Sequence, residues 1–297
     1  MTTPDPMNLF DRKAVRHHRD RAAPAIAEHD FLFAEVADRL TDRLLDVKRA
    51  FPLALDLGCH GGEVAKTLPG RGGIETLLQC DLSLAMTKQA GGTRFVADEE
   101  FLPIKKGSLD LVLSNLSLHW VNDLPGAFVQ IRQALKQDGF FLGAMLGEHT
   151  LHQLRESLMT AETELEGGLS PRISPYATVQ DVGGLLQRAG FTMPVVDTET
   201  ITVSYPDMFK LMHDLRGMGE TGAVSKRRKS FSQRATFMRA AEYYAETFGG
   251  EGDVGEGRIP ARFDVIFITA WSPHPDQQKA AQPGSGMVNL AEFLDED

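Results

Sequence analysis

The clearest chemistry in the sequence comes from an apolar stretch that ends in an acid and runs into a glycine-rich turn. Leu53–Leu68 reads LALDLGCHGGEVAKTL, which predicts a strand ending at Asp56, a turn and an amphipathic helix. The turn contains Gly58, Gly61 and Gly62. Glycine can adopt positive φ, and it lets a ligand approach the backbone without meeting a Cβ atom. The stretch therefore predicts a ligand site where the strand ends.

A second acid follows the next predicted strand. Asp81, in LLQCDLS, stands where nucleoside-binding α/β folds place a carboxylate for the ribose hydroxyls, and Leu82 comes directly after it. The turn lacks the GxGxxG spacing of a dinucleotide site, because Cys59 and His60 follow Gly58. Together these features favour S-adenosylmethionine (SAM) over NAD. A turn without a ligand, and a helix-capping role for Asp81, are the alternatives.

Further polar residues follow the third and fourth predicted strands and should reach the same edge of the sheet. Asp98, in VADEEFLPI, could accept a hydrogen bond from an adenine amino group, with a plain turn residue as the alternative. Glu99 is part of the predicted cofactor site, with a solvent-exposed acid as the alternative. Ser114 begins SNLSLHWV after the fourth strand and completes the predicted cofactor set.

Histidines offer one candidate base and one candidate metal pair. His119 is the candidate general base, because imidazole titrates close to neutral pH. The alternative is a packed structural histidine beside Trp120. His149 and His152, in EHTLH, have a spacing that could suit iron or zinc. Such groups are common by chance where a helix begins, and we predict no metal site.

Length, charge and hydropathy exclude several broad classes of protein. The chain has 297 residues and a formal net charge of −10, which argues against broad nucleic-acid binding because that needs a basic face. No apolar run approaches the roughly 18 residues that a membrane span needs, so we expect no integral membrane segment. The N-terminus lacks the apolar core of a signal peptide, and we expect a cytoplasmic location in a bacterium.

Strands alternate with helical patterns in the hundred or so residues that follow the N-terminal region. Such alternation predicts an α/β fold with a doubly wound, mostly parallel sheet and helices on both faces. Val195–Tyr205 and Arg262–Trp271 predict late strands, the last of them antiparallel. If these two pair, the helical segment between them is an insertion over the site. An N-terminal helical cap is predicted from one apolar face, which consists of Phe31, Phe33, Val36, Leu40 and Leu44.

Several motifs together resemble those of class I SAM-dependent methyltransferases. They are DLGCHGG, Asp81, ADEEFLP, LDLVLSN and DGFFLGAM, and they cover about residues 50–147. The resemblance implies a class I methyltransferase (Rossmann-like) fold, with an N-terminal helical cap at 1–50, a methyltransferase-like domain at 51–276 and a tail at 277–297. The helical insertion would span about 206–257. SAM binding is implied at Asp56, Gly58, Gly62, Asp81 and Asp98.

A narrower resemblance covers nearly the whole chain. It rests on NLFDR, FPLALDLGC, ADEEFLP, SLSLHWVNDLP, AETELEGGLSPRISPY, LLQRAGF and DLRGMGE, and it points to the mitochondrial complex I assembly factors with a methyltransferase fold. That family is reported to hydroxylate an arginine on the quinone-module iron–sulfur subunit of NADH dehydrogenase, and its eukaryotic members act in the mitochondrial matrix. The chain departs from the family at His60, where the turn usually has glycine. That side chain must point away from the cofactor or replace a contact.

These resemblances imply a SAM-dependent methyltransferase that acts in complex I assembly. SAM carries an activated methyl group, so the protein mainly has to align the acceptor and exclude water. Arginine hydroxylation is the first alternative, although it normally needs a metal or a flavin to activate oxygen. The others are a malonyl-acyl-carrier-protein O-methyltransferase, whose basic run Lys226–Lys229 could meet the acyl carrier protein, and a non-catalytic assembly chaperone.

Overall fold

A seven-stranded sheet organises the part of the chain that the computed structural model describes, residues 8–228, 230–252 and 254–277. Its strands are β1 Leu53–Leu57, β2 Thr76–Asp81, β3 Thr93–Val96, β4 Leu109–Asn115, β5 Leu135–Leu146, β6 Thr192–Tyr205 and β7 Ile259–Trp271. The helices are α1 Arg12–Ala22, α2 Phe31–Asp42, α3 Glu63–Thr67, α4 Leu84–Gln89, α5 Leu124–Ala134, α6 His152–Glu166, α7 Val179–Ala189, α8 Met208–Met218 and α9 Arg234–Phe248. Short 3₁₀ turns cover Ala23–Glu28 and Leu118–Trp120.

The strand order is β3-β2-β1-β4-β5-β7-β6, and β7 runs antiparallel to both of its neighbours. The first five strands are parallel, so their carboxyl ends lie along one edge, where open α/β sheets bind ligands. The predicted doubly wound, mostly parallel sheet with an antiparallel last strand is confirmed.

Alternating apolar residues of β4 show why the sheet needs helices on both faces. Leu111 and Leu113 belong to the apolar core that α2, α6, α8 and α9 cover, whereas Val112 belongs to the core under α5 and α7. All three side chains are fully buried. A strand that is apolar on both faces is typical of a parallel sheet with helices on each side.

Helix α2 supplies most of the predicted apolar face in the N-terminal region. Phe33, Val36 and Leu40 are buried in the core, as is Leu44 just beyond the helix, but Phe31 is exposed. At about 100° per residue, Phe31 lies roughly 200° around the helix from Phe33, so it points to the opposite side. The prediction that Phe31 belongs to the buried face was therefore wrong.

The two late strands, β6 and β7, pair along their lengths as predicted. The segment between them carries α8 and α9, and α9 packs against α6. Tyr244 of α9 donates its hydroxyl hydrogen to the carbonyl oxygen of Pro260, 2.7 Å away, which ties the helix to β7.

The described residues also bear on the chain ends and on membranes. Of the predicted tail, Gln277 is described and 278–297 lie outside the described residues. Within the described ranges, no helix combines the length and the apolar character that crossing a membrane requires.

Candidate functional site

The glycine-rich turn after β1 folds over the end of β2 and meets Asp81 there. The backbone N–H groups of Gly58 and Cys59 donate to the carbonyl oxygen of Cys80, at 2.8 and 2.9 Å. The next N–H, of His60, donates to Oδ2 of Asp81 at 3.2 Å. The turn and the acid that the sequence predicts for one site are therefore adjacent in the fold.

The three glycines of the turn have different surroundings. Gly58 has a φ of +75°, and a Cβ atom built on it would lie 3.2 Å from Oε1 of Glu99. Gly62 has a φ of +84° and backs onto Ala90, whose Cα would lie 3.2 Å from an added Cβ. Gly61 donates its N–H to an acidic side chain at the start of α3. Gly58 thus faces other predicted cofactor residues, whereas Gly62 packs the turn against the end of α4.

His60 answers the question that its departure from the family pattern raises. Its φ is +46°, and its ring stacks on Phe33 of α2 with the ring centroids 4.2 Å apart. Nε2 lies 3.2 and 3.1 Å from the carbonyl oxygens of Asn115 and Leu116. Burial, reinforced by the nearby Arg19, lowers the pKa of His60. The side chain therefore packs towards α2 as a neutral ring.

Asp56, near the carboxyl end of β1, is fully buried, and neither of its carboxylate oxygens has a hydrogen-bond partner among the described residues. Burial raises the pKa of Asp56 well above its ordinary value, and the nearby acids Glu63 and Asp81 raise it further. An unpartnered buried carboxyl group is costly for a fold. The position fits a ligand that brings a hydrogen-bond donor or a positive charge, such as the amino group of SAM.

Arg19 of α1 joins the carboxylates of Asp81 and Glu99 in one buried cluster. Its Nη1 donates to Oδ2 of Asp81 at 3.1 Å and to Oε1 of Glu99 at 3.0 Å, and its Nη2 donates to Oγ of Ser117 at 2.9 Å. The side chain of Glu99 is 0% exposed, so the solvent-exposed alternative for it was wrong. Burial alone would raise the pKa of Glu99, but Arg19 and Arg12 hold it below its ordinary value.

Arg12, at the start of α1, binds the acids that follow β3. Its Nη2 donates to Oδ1 of Asp98 at 2.5 Å, and it also pairs with Glu99. Its Nη1 donates to the carbonyl oxygen of Trp120 at 3.2 Å. The carboxylates of Asp98, Glu99 and Asp81 therefore all meet the same face of α1.

Two residues of the predicted cofactor set lie apart from this cluster. Ser114 is buried in β4 and donates its hydroxyl hydrogen to the carbonyl oxygen of Leu57, 2.9 Å away. Leu82 is partly buried and packs against a small apolar cluster that includes Phe10 and Trp120. Ser114 thus has a partner within the sheet, and Leu82 lies beside the N-terminal segment.

His119, the candidate base, is buried against an acid outside the predicted site. Its Nε2 lies 3.0 Å from Oε2 of Glu220, and the N–H of Leu146 donates to its Nδ1 at 3.5 Å. The indole N–H of Trp120 donates to the same Oε2 at 2.9 Å. Burial alone would raise the pKa of Glu220, but His119 holds it below its ordinary value, which favours an ionised carboxylate.

A cavity of about 400 Å³ opens beside Glu220. Much of its wall is apolar, with Trp120, Leu154, Leu158, Ile173, Leu215 and Phe237. Glu220 is the acid of this lining, and the exposed Arg216 stands at its edge. His119 lies behind Glu220 and lines a much smaller cavity with it. Glu220 therefore connects the buried histidine to a space large enough for a substrate group.

The histidine pair at the start of α6 lies at the surface. Nε2 of His149 is 3.5 Å from Oε1 of Glu148, whereas Nδ1 of His152 is 3.2 Å from the backbone carbonyl oxygen of His149. In the described ranges, no three histidine, cysteine, aspartate or glutamate side chains form a group that could hold a metal ion.

Arg12, Arg19 and Glu220 are site residues that the sequence reasoning missed. The spacing in α1 contains a signal for the two arginines, because they share a helix face with Val15 and Ala22, which are buried. A buried arginine needs an acidic partner, so this face indicates carboxylates beneath it. Glu220 lies 100 residues from the indole that binds it, so no local spacing could have linked them.

Comparisons with known proteins agree with this geometry. Residues 55–143 match the family described as Methyltransferase domain. The arginine-hydroxylase NDUFAF5, mitochondrial, of Danio rerio is 45% identical over 294 residues, which are 97% of this chain and 90% of that protein. The malonyl-[acyl-carrier protein] O-methyltransferase of Methylovorus sp. is 32% identical over 289 residues, which are 93% of this chain and 93% of that protein.

A solved structure shows the same fold at low sequence identity. The phosphoethanolamine N-methyltransferase 2 of Haemonchus contortus, solved with S-adenosyl-L-methionine, matches with a TM-score of 0.54 and 19% identity, over 88% of this chain and 60% of that chain. The family itself is shown by the nearly full-length sequence match to the zebrafish protein. The chain therefore belongs to the NDUFAF5 family of class I methyltransferases, a superfamily whose cofactor is SAM.

Proposed function

We propose that the chain binds SAM at the carboxyl edge of the sheet, with Asp81 on the ribose hydroxyls and Asp98 on the adenine amino group. The observation that carries the proposal is Asp56, whose two unpartnered oxygens lie buried at the start of the glycine turn. The amino group of SAM would give that carboxyl group a hydrogen-bond donor. The rest of the proposed set is Gly58, Gly61, Gly62, Leu82, Glu99 and Ser114.

The proposed acceptor is an arginine side chain of a protein, held in the cavity beside Glu220. An ionised carboxylate in a largely apolar wall fits a guanidinium group, which binds carboxylates through paired N–H donors. Glu220 already pairs with His119 and Trp120, but a carboxylate has about four lone-pair sites, so capacity remains. The zebrafish relative is named an arginine hydroxylase, which supports this acceptor.

The motifs that carry the narrower family resemblance support the cavity as the acceptor site. AETELEGGLSPRISPY supplies Pro171, Ile173 and Tyr176 to its wall, and DLRGMGE supplies Arg216 and Glu220. Both motifs lie outside the cofactor-binding turns. The proposed catalytic unit is the domain at 51–276, with the cap at 1–50 and the insertion at about 206–257 covering the two sites.

SAM supplies an activated methyl group, so the residues of the chain mainly have to bind and orient the acceptor. Glu220 would hold the guanidinium group, and His119 would hold Glu220 through their 3.0 Å contact. Methyl transfer is the first proposed reaction, because this cofactor supports it directly. Hydroxylation of the arginine is the second, because the zebrafish and human relatives, each 45% identical, are named for it.

The proposed setting is the assembly of respiratory complex I, with the quinone-module iron–sulfur subunit of NADH dehydrogenase as the protein partner. The match to NDUFAF5 over nearly the full chain supports this setting. The zebrafish relative is named mitochondrial, and the bacterial cytoplasm is the location that we propose for this chain.

The mass of that iron–sulfur subunit tests the proposal, measured from cells that carry the intact gene, no gene or the Glu220→Gln variant. An arginine that gains a methyl group only with the intact gene would support methyl transfer, and a gain of one oxygen would support hydroxylation. Glu220→Gln should remove most of the modification. Glu148→Gln, which changes an exposed acid, should leave it intact. An unmodified subunit in all cells would contradict the arginine acceptor and favour an assembly chaperone.

A malonyl group on an acyl carrier protein is the second candidate acceptor. Arg216, Arg227 and Arg228 line the cavity edge, and Lys226 is exposed beside them, whereas Lys229 lies outside the described residues. A basic surface of this kind would attract an acidic carrier. Transfer of label from methyl-labelled SAM to purified malonyl-carrier protein would support this acceptor, and its absence would leave the arginine proposal alone.

A further inference from the structure

The carboxylates proposed to bind SAM are held by the chain's own N-terminal helix. Oδ2 of Asp81 accepts from Nη1 of Arg19 at 3.1 Å, and Oδ1 accepts from the N–H of Ser83 at 2.7 Å. Both oxygens of the proposed ribose-binding acid are therefore engaged. Arg12 holds Asp98, the proposed adenine-binding acid, at 2.5 Å.

This contact is buried, unlike an ordinary surface ion pair. The side chains of Arg19, Asp81 and Glu99 are 1%, 0% and 0% exposed, and that of Arg12 is 14% exposed. Buried charges are tolerated when they are paired, so the two guanidinium groups and the carboxylates stabilise one another in this position. A ligand that brings hydroxyl groups to Asp81 has to replace the guanidinium group of Arg19.

Helix α1 has little apolar anchorage to oppose such a replacement. Its buried apolar residues are Ala14, Val15 and Ala22. Other ties are polar, such as His18 Nδ1, which lies 3.0 Å from the carbonyl oxygen of Thr221. Elements with few apolar contacts open at lower free energy than the core. Binding of a ligand to the carboxylates can therefore compete with the docking of α1.

On these grounds, and on the basis of the proposed SAM site, we infer that α1 is an autoinhibitory latch. Arg12 and Arg19 occupy the ribose and adenine acids when SAM is absent, and SAM binds the fraction of molecules in which α1 has withdrawn. The apparent affinity for SAM is then lower than the intrinsic affinity by that fraction.

The latch also connects the cofactor site to the acceptor cavity. His18 of α1 lines the cavity, as do its partner Thr221 and the neighbouring Gly222. Withdrawal of α1 therefore changes one wall of the acceptor site. Acceptor binding and cofactor binding are coupled through the position of this helix.

Calorimetric titration with SAM tests the latch in four proteins: the parent, Arg12→Met, Arg19→Met and Arg16→Met. Arg16 is exposed on the same helix and makes none of these contacts, so its variant is the matched control. Arg12→Met and Arg19→Met should bind SAM at least about tenfold more tightly than the parent, because each removes a competing guanidinium group. Arg16→Met should match the parent.

Hydrogen exchange on the parent gives a second readout that does not depend on any variant folding. Addition of SAM should speed amide exchange in residues 12–22 while it slows exchange in residues 56–62. Slower exchange in α1 with SAM, or equal SAM affinity in all four proteins, would overturn the latch and leave the SAM site standing. Absence of SAM binding in every protein would overturn both the SAM site and the latch.

Discussion

Asp56 shows how a binding residue can lower the stability of the fold that carries it. Its carboxyl group is buried without a partner, and burial raises its pKa, with Glu63 and Asp81 adding to the effect. For an acid whose pKa is raised in the folded state, the folded state binds more protons, so stability falls as pH rises past the unfolded pKa. At neutral pH this residue therefore destabilises the protein without ligand. Such a position is typical of binding sites.

We predict that Asp56→Asn stabilises the protein without cofactor and weakens SAM binding. The melting temperature at neutral pH should rise by roughly 2–4 °C, the shift that about 1 kcal/mol produces in a domain of this size. The affinity for SAM should fall at least about tenfold, since a charged hydrogen bond contributes about 1.5–3 kcal/mol. Scanning calorimetry and titration measure the two effects. Asp46→Asn, at an exposed position, should change neither, and a lower melting temperature for Asp56→Asn would contradict its unpartnered state.

At the scale of the element, the turn after β1 depends on a glycine for packing as well as for backbone conformation. Gly62 and Gly70 both have strongly positive φ, +84° and +81°. A Cβ atom on Gly62 would lie 3.2 Å from Cα of Ala90, whereas nothing lies within 4 Å of one on Gly70. The two positions therefore separate backbone strain from steric contact.

We predict that Gly70→Ala costs about 1–2 kcal/mol from the left-handed backbone alone, and that Gly62→Ala costs more because it adds the contact with Ala90. Urea unfolding at equilibrium measures both losses. Equal losses for the two variants would show that the turn and the end of α4 are not closely packed.

The elements differ in how much of them a sequence can predict. The strands and the glycine turn could be predicted because their signals are local, an apolar run followed by an acid or by glycines. The role of α1 could not, because Arg19 pairs with acids 62 and 80 residues away. Its position on the buried face of the helix was the available signal. The pair of His119 with Glu220 spans 101 residues and carried no local signal at all.

At the scale of the whole molecule, two buried histidines make stability depend on pH. Burial lowers the pKa of His18 from 6.5 to about 4, and burial also lowers that of His60. A histidine whose pKa is lowered in the folded state stays neutral there, while the unfolded chain takes up a proton as pH falls below about 6.5. Stability from these residues is therefore present above that pH and is lost as pH falls towards 4.

We predict that the free energy of unfolding decreases from about pH 6.5 to about pH 4, and that His18→Gln makes this decrease smaller. Urea unfolding across that range is the measurement. His149→Gln, at an exposed position, should leave the pH dependence of the parent. The same pH dependence in His18→Gln and in the parent would contradict the buried, neutral state of His18.

The central claim is that Asp81 binds the cofactor, and SAM titration of two matched proteins tests it most directly. Because Asp81 also holds Arg19, the comparison is made without that contact, between Arg19→Met and the double variant Arg19→Met/Asp81→Asn. Loss of the charged hydrogen bonds should weaken SAM binding by roughly 10- to 150-fold in the double variant. Equal affinity in two folded proteins would contradict the claim.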